Sequence, residues 1–124
     1  MANIIVVDDS QFMRLILKEI ITGMGHTVIA EAEDGYEAVL KYSELRPDLV
    51  TMDINMPRMS GVSALKEIIK IDPAAKILIC SALGQQSMIT EAIRAGAKDF
   101  VVKPIQESRV IEAITKIINC KSDY

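Results

Sequence analysis

Short apolar runs alternate with amphipathic segments along the whole chain. Each run is short enough for a buried strand, and the segments between runs carry apolar residues every three or four positions, as helices do. The runs predict strands at Asn3–Val7, Thr27–Ala32, Leu49–Asp53, Lys76–Ser81 and Asp99–Val102. Because strands that alternate with helices form parallel sheets covered on both faces, we predict an α/β protein with a five-stranded, doubly wound parallel sheet.

The amphipathic segments also predict where helices begin, end and pack. Ser10 is expected to cap the first helix and Ser108 the last. Gly23 is expected to close the first helix as its C′ residue, just past the last turn, and Gly96 is expected to end the fourth. The acidic segment 31–34 is expected to be the solvated end of an edge strand. The expected inner faces comprise, in chain order, Phe12, Met13, Ile16, Leu17, Ile20, Ala38, Val39, Tyr42, Leu45, Val62, Leu65, Ile69, Met88, Ile89, Ala92, Ile93, Val110, Ile111, Ile114, Ile117 and Ile118.

Polar side chains follow four of the apolar strands at the point where each strand ends. Asp8-Asp9, Asp53, Ser81 and Lys103-Pro104 hold these positions. The carboxyl ends of parallel strands lie at one edge of the sheet, where open α/β proteins build their sites. Taken singly, each residue has a common structural explanation as a helix cap, a turn residue or a solvated charge. Their occurrence together predicts one site with three carboxylates, a hydroxyl and an ammonium.

Charge predicts what such a site binds. Three carboxylates repel by roughly 4 kcal/mol per pair at about 4 Å and an effective dielectric of about 20, and one lysine cannot neutralise all three. We therefore expect a hard divalent cation. Mg²⁺ fits because it binds through one or two carboxylates and keeps waters that phosphate oxygens can replace. A carboxylate beside Mg²⁺, a lysine and a hydroxyl can attack phosphorus and form an aspartyl phosphate.

Composition narrows the partners and the compartment. The chain of 124 residues has room for one domain, which is expected to span 1–124. A net charge of −3 without a basic block argues against direct binding to nucleic acid. No apolar run approaches membrane-spanning length and no signal peptide is visible, so we expect a cytoplasmic protein that does not enter membranes. Cys80 and Cys120 predict no disulfide or metal pair, and His26 is expected at the surface.

At Asp8-Asp9, Asp53, Ser81 and Lys103-Pro104 the chain resembles a known family. The order of these residues and their places at strand ends are those of response-regulator receiver domains, and the resemblance covers the whole chain. The chain is most similar to single-domain chemotaxis regulators of the CheY type, and the segment Ser81–Gln86 resembles those from bacteria outside the enteric group and from archaea. The resemblance implies a flavodoxin-like (βα)5 fold with strand order 2-1-3-4-5.

The resemblance implies a role for each residue of a metal and phosphorylation site. Asp53 is expected to be the phosphorylated residue. Asp9 is expected to ligate Mg²⁺ directly, with Asp8 orienting the water shell of the metal. Asp53 and the backbone carbonyl of Asn55 are expected to complete the protein ligands, and Lys103 to pair with the phosphoryl group.

The resemblance also implies a conformational switch. Ser81 is expected to move and hydrogen-bond the phosphoryl group, and Phe100 to turn inward as Ser81 moves. Phe100 has no hydroxyl, so an output that depends on a tyrosine OH is excluded. The Lys103–Pro104 peptide bond is expected to be cis, a state far more accessible before proline than elsewhere.

The expected function is that of a phosphorylation-activated response regulator in two-component signalling, most similar to those of chemotaxis. A histidine kinase of the chemotaxis type would supply the phosphoryl group, and a flagellar or archaellar motor switch or adaptor would receive the signal. A phosphatase could reset the protein. The chain is expected to be monomeric and to catalyse only its own phosphorylation and dephosphorylation.

Four alternatives compete with this interpretation. Two lie within the family: a phosphorelay intermediate, and a receiver domain separated from a larger transcriptional regulator. A phosphohydrolase resembling the haloacid dehalogenases would carry a second aspartate two residues after the nucleophile, where this chain has Asn55. A flavin carrier of the flavodoxin type would need a phosphate-binding loop rich in serine, threonine and glycine, where this chain has Asp8-Asp9.

Overall fold

The computed structural model describes residues 1–120, which form five β-α units built on one sheet. The strands are β1 (Asn3–Val7), β2 (Thr27–Ala32), β3 (Leu49–Asp53), β4 (Ile77–Ser81) and β5 (Asp99–Val102). The helices are α1 (Gln11–Gly23), α2 (Gly35–Leu45), α3 (Gly61–Ile71), α4 (Gln86–Ala95) and α5 (Glu107–Asn119). All neighbouring strands are parallel, in the order β2-β1-β3-β4-β5. The predicted fold class and the strand order implied by the resemblance are both confirmed.

Two cores cover the two faces of the sheet. Ile4 and Val6 of β1 belong to the core under α1 and α5, while Ile5 and Val7 belong to the core under α2, α3 and α4. This division follows from the two-residue period of a strand, and it explains why strands covered on both faces are continuously apolar. Across residues 1–120, no helix combines the length and the apolar character that a membrane span requires.

Side-chain caps set the beginnings of three helices. The hydroxyl of Ser10 accepts a hydrogen bond from the Met13 amide at 3.2 Å, as predicted. Ser60 caps α3 in the same way, and Asp34 caps α2 by accepting the Glu37 amide at 2.9 Å. The prediction that the acidic segment 31–34 is solvated was wrong at Asp34, because this cap residue is only 6% exposed.

Two predicted helix boundaries were wrong. The last helix begins at Glu107, so Ser108 lies inside its first turn and cannot cap it. Gly23 is the last residue of α1, and the left-handed backbone (φ 89°) occurs two residues later, at Gly25. By contrast, Gly96 does end α4, with a φ of 128°. The fourth strand begins one residue later than predicted, after Lys76.

The buried stripe of several helices is rotated relative to the prediction. On α1 the buried residues are Leu17, Ile20 and Ile21, whereas Phe12 is 68% exposed. The spacing of apolar residues locates the buried face of a helix only to within about one residue. The packing of the helix against the sheet decides which apolar residues at the border of that face are covered. The other expected inner-face residues that are largely exposed are Leu45 and Ile93. His26, expected at the surface, is partly buried and accepts a hydrogen bond from the Ala2 amide at 3.0 Å.

Candidate functional site

Three carboxylates meet at the carboxyl edge of the sheet. Asp8 and Asp9 follow β1, and Asp53 is the last residue of β3, the neighbouring strand. One carboxylate oxygen of each lies within 4.8 Å of the other two. In residues 1–120 this is the one such group of three potential metal ligands. Asp8 is fully buried, Asp53 is 5% exposed and Asp9 is exposed, so the cluster opens to solvent on one side.

Lys103 brings the compensating positive charge into the cluster. It follows β5 directly, and its Nζ lies 3.1 Å from Oδ2 of Asp8 and 3.3 Å from Oδ1 of Asp53. The Lys103 amide donates to the carbonyl of Ser81 at 2.7 Å, and the Lys103–Pro104 peptide bond is cis, the isomer that the resemblance implies. One ammonium therefore bridges two buried carboxylates at the ends of two different strands.

The electrostatics of the cluster centre on Asp53. Burial and the nearby charge of Asp8 raise the pKa of Asp53 to about 6, although Lys103 and the Asn55 backbone amide act to lower it. Burial acts to lower the pKa of Lys103, but Asp53 and Asp8 together raise it above its ordinary value. The fold thus disfavours the charge on Asp53 and favours the charge on Lys103.

Ser81 places an unpaired hydroxyl beside the cluster. It is fully buried and follows Cys80, the residue that pairs with Asp53 across the sheet. Among the described residues its Oγ has no hydrogen-bond partner, and Thr51 of β3 shares this property. A buried polar group without a partner costs about 1–3 kcal/mol, so a ligand that hydrogen-bonds the Ser81 hydroxyl would gain free energy.

The loop after β3 packs closely against the end of its own strand. The Gly61 amide donates to the carbonyl of Ile54 at 2.7 Å. A Cβ built on Gly61 would lie 2.0 Å from the carbonyl oxygen of Asp53, a distance no real side chain can adopt. Gly61 therefore lets the loop turn sharply, and that turn holds the Asn55 backbone against the Asp53 carboxylate.

Arg14 is a residue of the site that sequence reasoning missed, because it is not among the apolar residues that define the expected inner face of α1. Its Nη1 donates to the carbonyl of Asp8 at 2.7 Å, and its Nε donates to Glu31 Oε1 at 2.8 Å. The side chain is only 11% exposed. Arg14 thus fixes the backbone from which Asp8 and Asp9 project. Periodicity carries no signal for this contact, which depends on how α1 sits over β2.

Phe100, the expected switch residue, lies on β5 and is partly buried. Its carbonyl accepts a hydrogen bond from Nη2 of Arg109 at 2.7 Å. Its side chain lines a surface groove together with Leu83, Gln106 and Arg109. The groove joins the end of β5 to the loop after β4, so a displacement at Ser81 could change its shape.

The donor set fits a hard cation. All three converging groups are carboxylates, two of them are buried, and a single ammonium leaves the cluster negatively charged when the three are ionised. Hard divalent cations prefer such oxygen ligands. Burial raises the pKa of the neighbouring Cys80 thiol to about 12, so this thiol adds no negative charge to the metal-free cluster at neutral pH.

Comparison with known proteins agrees with this geometry. The response regulator receiver domain family matches residues 4–115. Chemotaxis protein CheY of Thermotoga maritima is 62% identical over 115 residues, which cover 93% of this chain and 96% of that protein. Chemotaxis protein CheY of Bacillus subtilis is 60% identical over 117 residues, which cover 94% of this chain and 98% of that protein.

A solved structure shares the fold in detail. The crystal structure of the CheX-CheY-BeF3-Mg+2 complex from Borrelia burgdorferi matches with a TM-score of 0.91 and 37% identity, covering 95% of this chain and 90% of that chain. These similarities decide against the flavin-carrier and dehalogenase-like alternatives. The chain belongs to the response regulator receiver domain family.

Proposed function

We propose that this receiver domain accepts a phosphoryl group on Asp53 from a histidine kinase and thereby switches a protein-binding surface. The observation that carries the proposal is the position of Asp53, which is buried between Asp8 and Lys103 at the open edge of the sheet. With a pKa of about 6, the carboxylate is largely ionised at neutral pH and can act as a nucleophile.

The transfer requires little of the protein beyond positioning. An oxygen of the Asp53 carboxylate forms the new bond to phosphorus, while the bond from phosphorus to the kinase imidazole breaks and its electron pair stays on the imidazole nitrogen. Asp9, Asp53 and the Asn55 carbonyl would hold Mg²⁺, and Asp8 would orient its water shell. When bound, Mg²⁺ supplies positive charge to the phosphoryl oxygens. Lys103 then exchanges its contact with Asp53 for one with the phosphoryl group.

Ser81 and Phe100 are proposed to transmit the effect of phosphorylation from the site to the protein-binding surface. The Ser81 hydroxyl, which has no partner among the described residues, would donate a hydrogen bond to the phosphoryl group. This pulls the loop after β4 inward and leaves space that the Phe100 ring can enter. The groove that Phe100 shares with Leu83 and Arg109 would change shape as a result.

The similarity to chemotaxis proteins CheY favours a role in chemotaxis. We infer a chemotaxis histidine kinase as the phosphoryl donor, and a flagellar or archaellar motor switch or an adaptor as the receiver of the signal. A phosphatase is a further proposed partner, since CheY of Borrelia burgdorferi forms a complex with a second protein, CheX. The proposal places the protein in the cytoplasm as a monomer, with no direct nucleic-acid or membrane contact and no external substrate that it turns over.

Phosphorylation with acetyl phosphate tests this function. The wild type should gain one phosphoryl group only when Mg²⁺ is present, and Asp53→Asn should gain none. Asp48→Asn, which changes an exposed aspartate elsewhere, should behave as the wild type. Reduction with borohydride followed by peptide mapping locates the modified residue. A label on Ser81 or Asp8, or labelling that does not depend on Mg²⁺, would contradict the proposal.

A further inference from the structure

An ion pair outside the acidic cluster ties down the loop that follows β3. Oδ2 of Asp34 accepts a hydrogen bond from Nε of Arg58 at 2.9 Å and also contacts Nη2 of the same guanidinium. Asp34 precedes α2, and Arg58 lies between β3 and α3, 24 positions later. The Asp34 side chain is only 8% exposed, whereas that of Arg58 is 66% exposed. The aspartate is therefore a fixed anchor, and the arginine reaches to it from the loop.

A backbone contact lies next to this ion pair. The amide of Gly35 donates to the carbonyl of Met59 at 3.1 Å, so each of the two loops contributes neighbouring residues to both contacts. A Cβ on Gly35 would lie 2.6 Å from that same carbonyl oxygen. The two loops thus approach as closely as a residue without a side chain allows.

The backbone of Arg58 has an unfavourable conformation. Its φ of 65° lies in the left-handed region, which is unfavourable for residues with a Cβ and easily reached by glycine. The ion pair offsets that cost. Asp34 makes two contacts at once. Its Oδ1 accepts a hydrogen bond from the Glu37 amide and caps α2, and its Oδ2 accepts one from Arg58.

We propose that Asp34 and Arg58 are a positioning pair that holds segment 54–60 so that the Asn55 backbone faces the acidic cluster. The pair touches neither the carboxylates of the cluster nor the reacting atoms, and it acts only through the loop. The inference rests on the proposed function in one respect, namely that the cluster binds Mg²⁺ with the Asn55 carbonyl among its ligands. Its effect on the loop does not depend on a metal.

The chain contains a matched control for Arg58. Arg46 is also an exposed arginine with left-handed backbone (φ 46°), and it also forms an ion pair, with Asp72 at 3.6 Å. It lies at the C-terminal end of α2, which is the end opposite Asp34. Arg58→Gly and Arg46→Gly therefore both relieve left-handed backbone strain and both remove an ion pair, although the pair of Arg46 is longer and Arg46 also lies over the Tyr42 ring. Only the first substitution releases the loop after β3.

The first measurement is Mg²⁺ affinity by isothermal titration calorimetry. Arg58→Gly should bind Mg²⁺ roughly tenfold more weakly than the wild type, at the lower end of the effect of residues that orient metal ligands. Arg46→Gly should bind as the wild type does. Asp34→Asn keeps a good N-cap but loses the ion pair, so it should match Arg58→Gly. The double variant should be no weaker than either single variant, because the two residues act as one unit.

The second measurement is amide hydrogen exchange in the metal-free protein, followed by NMR. The amides of Met59 and Gly35 should exchange faster in Arg58→Gly than in the wild type, and should be unchanged in Arg46→Gly. Equal Mg²⁺ affinity, or equal exchange at these amides, in the two glycine variants would overturn the positioning role. If the wild type binds no Mg²⁺, the proposed function fails, and the exchange measurement alone decides whether the pair holds the loop.

Discussion

The Nζ of Lys103 lies 3.1 Å from Oδ2 of Asp8, although 95 positions separate the two residues. Asp8 is fully buried, and the Lys103 side chain is 25% exposed. The resemblance assigned Lys103 to the phosphoryl group. The structure shows that, in the unphosphorylated protein, its ammonium already forms ion pairs with both Asp8 and Asp53. Lys103 therefore contributes to stability as well as to the proposed chemistry.

Replacing Lys103 by methionine should destabilise the protein at pH 7. Asp8 would remain buried without an ion-pair partner, and breaking a buried pair in this way costs about 3–5 kcal/mol. Lys98→Met, a change at an exposed lysine, should alter the free energy of unfolding by less than about 0.5 kcal/mol. Urea unfolding measures both. Equal stability of the two variants would show that Lys103 does not compensate Asp8.

Replacing Asp53 by asparagine should stabilise the metal-free protein, but only at higher pH. The pKa of Asp53 is raised from 3.8 to about 6 in the fold, chiefly by burial. The fold favours the neutral carboxyl group, so the stability that Asp53 contributes is fully present below about pH 4. This stability is lost as the pH rises through about 6, because the folded protein must then bury a charged carboxylate. The gain of Asp53→Asn over the wild type should be near zero at about pH 4 and on the order of 3 kcal/mol at about pH 8.

Thermal or urea unfolding across this pH range, in the presence of a chelator, measures the effect. Asp48→Asn provides the control, because Asp48 is exposed and lies outside the cluster. At about pH 8 the gain of Asp53→Asn over the wild type should exceed that of Asp48→Asn. A pH-independent difference between Asp53→Asn and the wild type would mean that the charge of Asp53 is not the cause.

Removing the hydroxyl of Ser81 should separate stability from signalling. Ser81→Ala deletes a buried polar group without a partner among the described residues, so the free energy of unfolding should stay the same or rise, by up to about 1 kcal/mol. Phosphate-dependent partner binding should weaken, because the hydrogen bond to the phosphoryl group is lost. Phe100→Ala should weaken it as well, while leaving phosphorylation of Asp53 largely intact.

Thr51→Val is the control for the weaker partner binding expected of Ser81→Ala. Thr51 carries the other buried hydroxyl that lacks a partner within residues 1–120, and it lies inside β3. Its replacement should leave partner binding unchanged. The measurement is the affinity of a partner for the beryllofluoride-activated protein and for each variant. Full activation of both Ser81→Ala and Phe100→Ala would place the switch elsewhere.

Two glycine-to-alanine substitutions should have opposite effects. Gly61→Ala places a methyl group 2.0 Å from the Asp53 carbonyl oxygen, so the loop must move, and a loss of about 4 kcal/mol or more is expected. Gly23→Ala adds a methyl group within α1 with no atom inside 4 Å. This change should stabilise by about 0.4–1 kcal/mol, because alanine has less freedom in the unfolded chain. Thermal unfolding with circular dichroism distinguishes the two, and similar melting temperatures would contradict the packing at Gly61.

The strands, the helices and their order along the chain follow from the amino-acid pattern alone. Strands and helices were predictable because the two- and 3.6-residue periods and the Ser10 cap are local properties of the chain. The meeting of Asp8, Asp9 and Asp53 was also predictable, since parallel strands bring their carboxyl ends to one edge of a sheet. Family resemblance then attached roles to these positions.

Which polar groups are buried, and what they contact, depends on how the folded elements pack together. Asp34 looked like a solvated residue beside two glutamates, yet it is a buried cap that pairs with Arg58. Arg14 had the spacing of an outer-face residue, yet it binds the Asp8 backbone. Contacts of this kind join segments far apart in sequence, and they depend on the direction of each side chain and the approach of two loops. No periodic or local signal records those quantities, so they become visible only when the chain is folded.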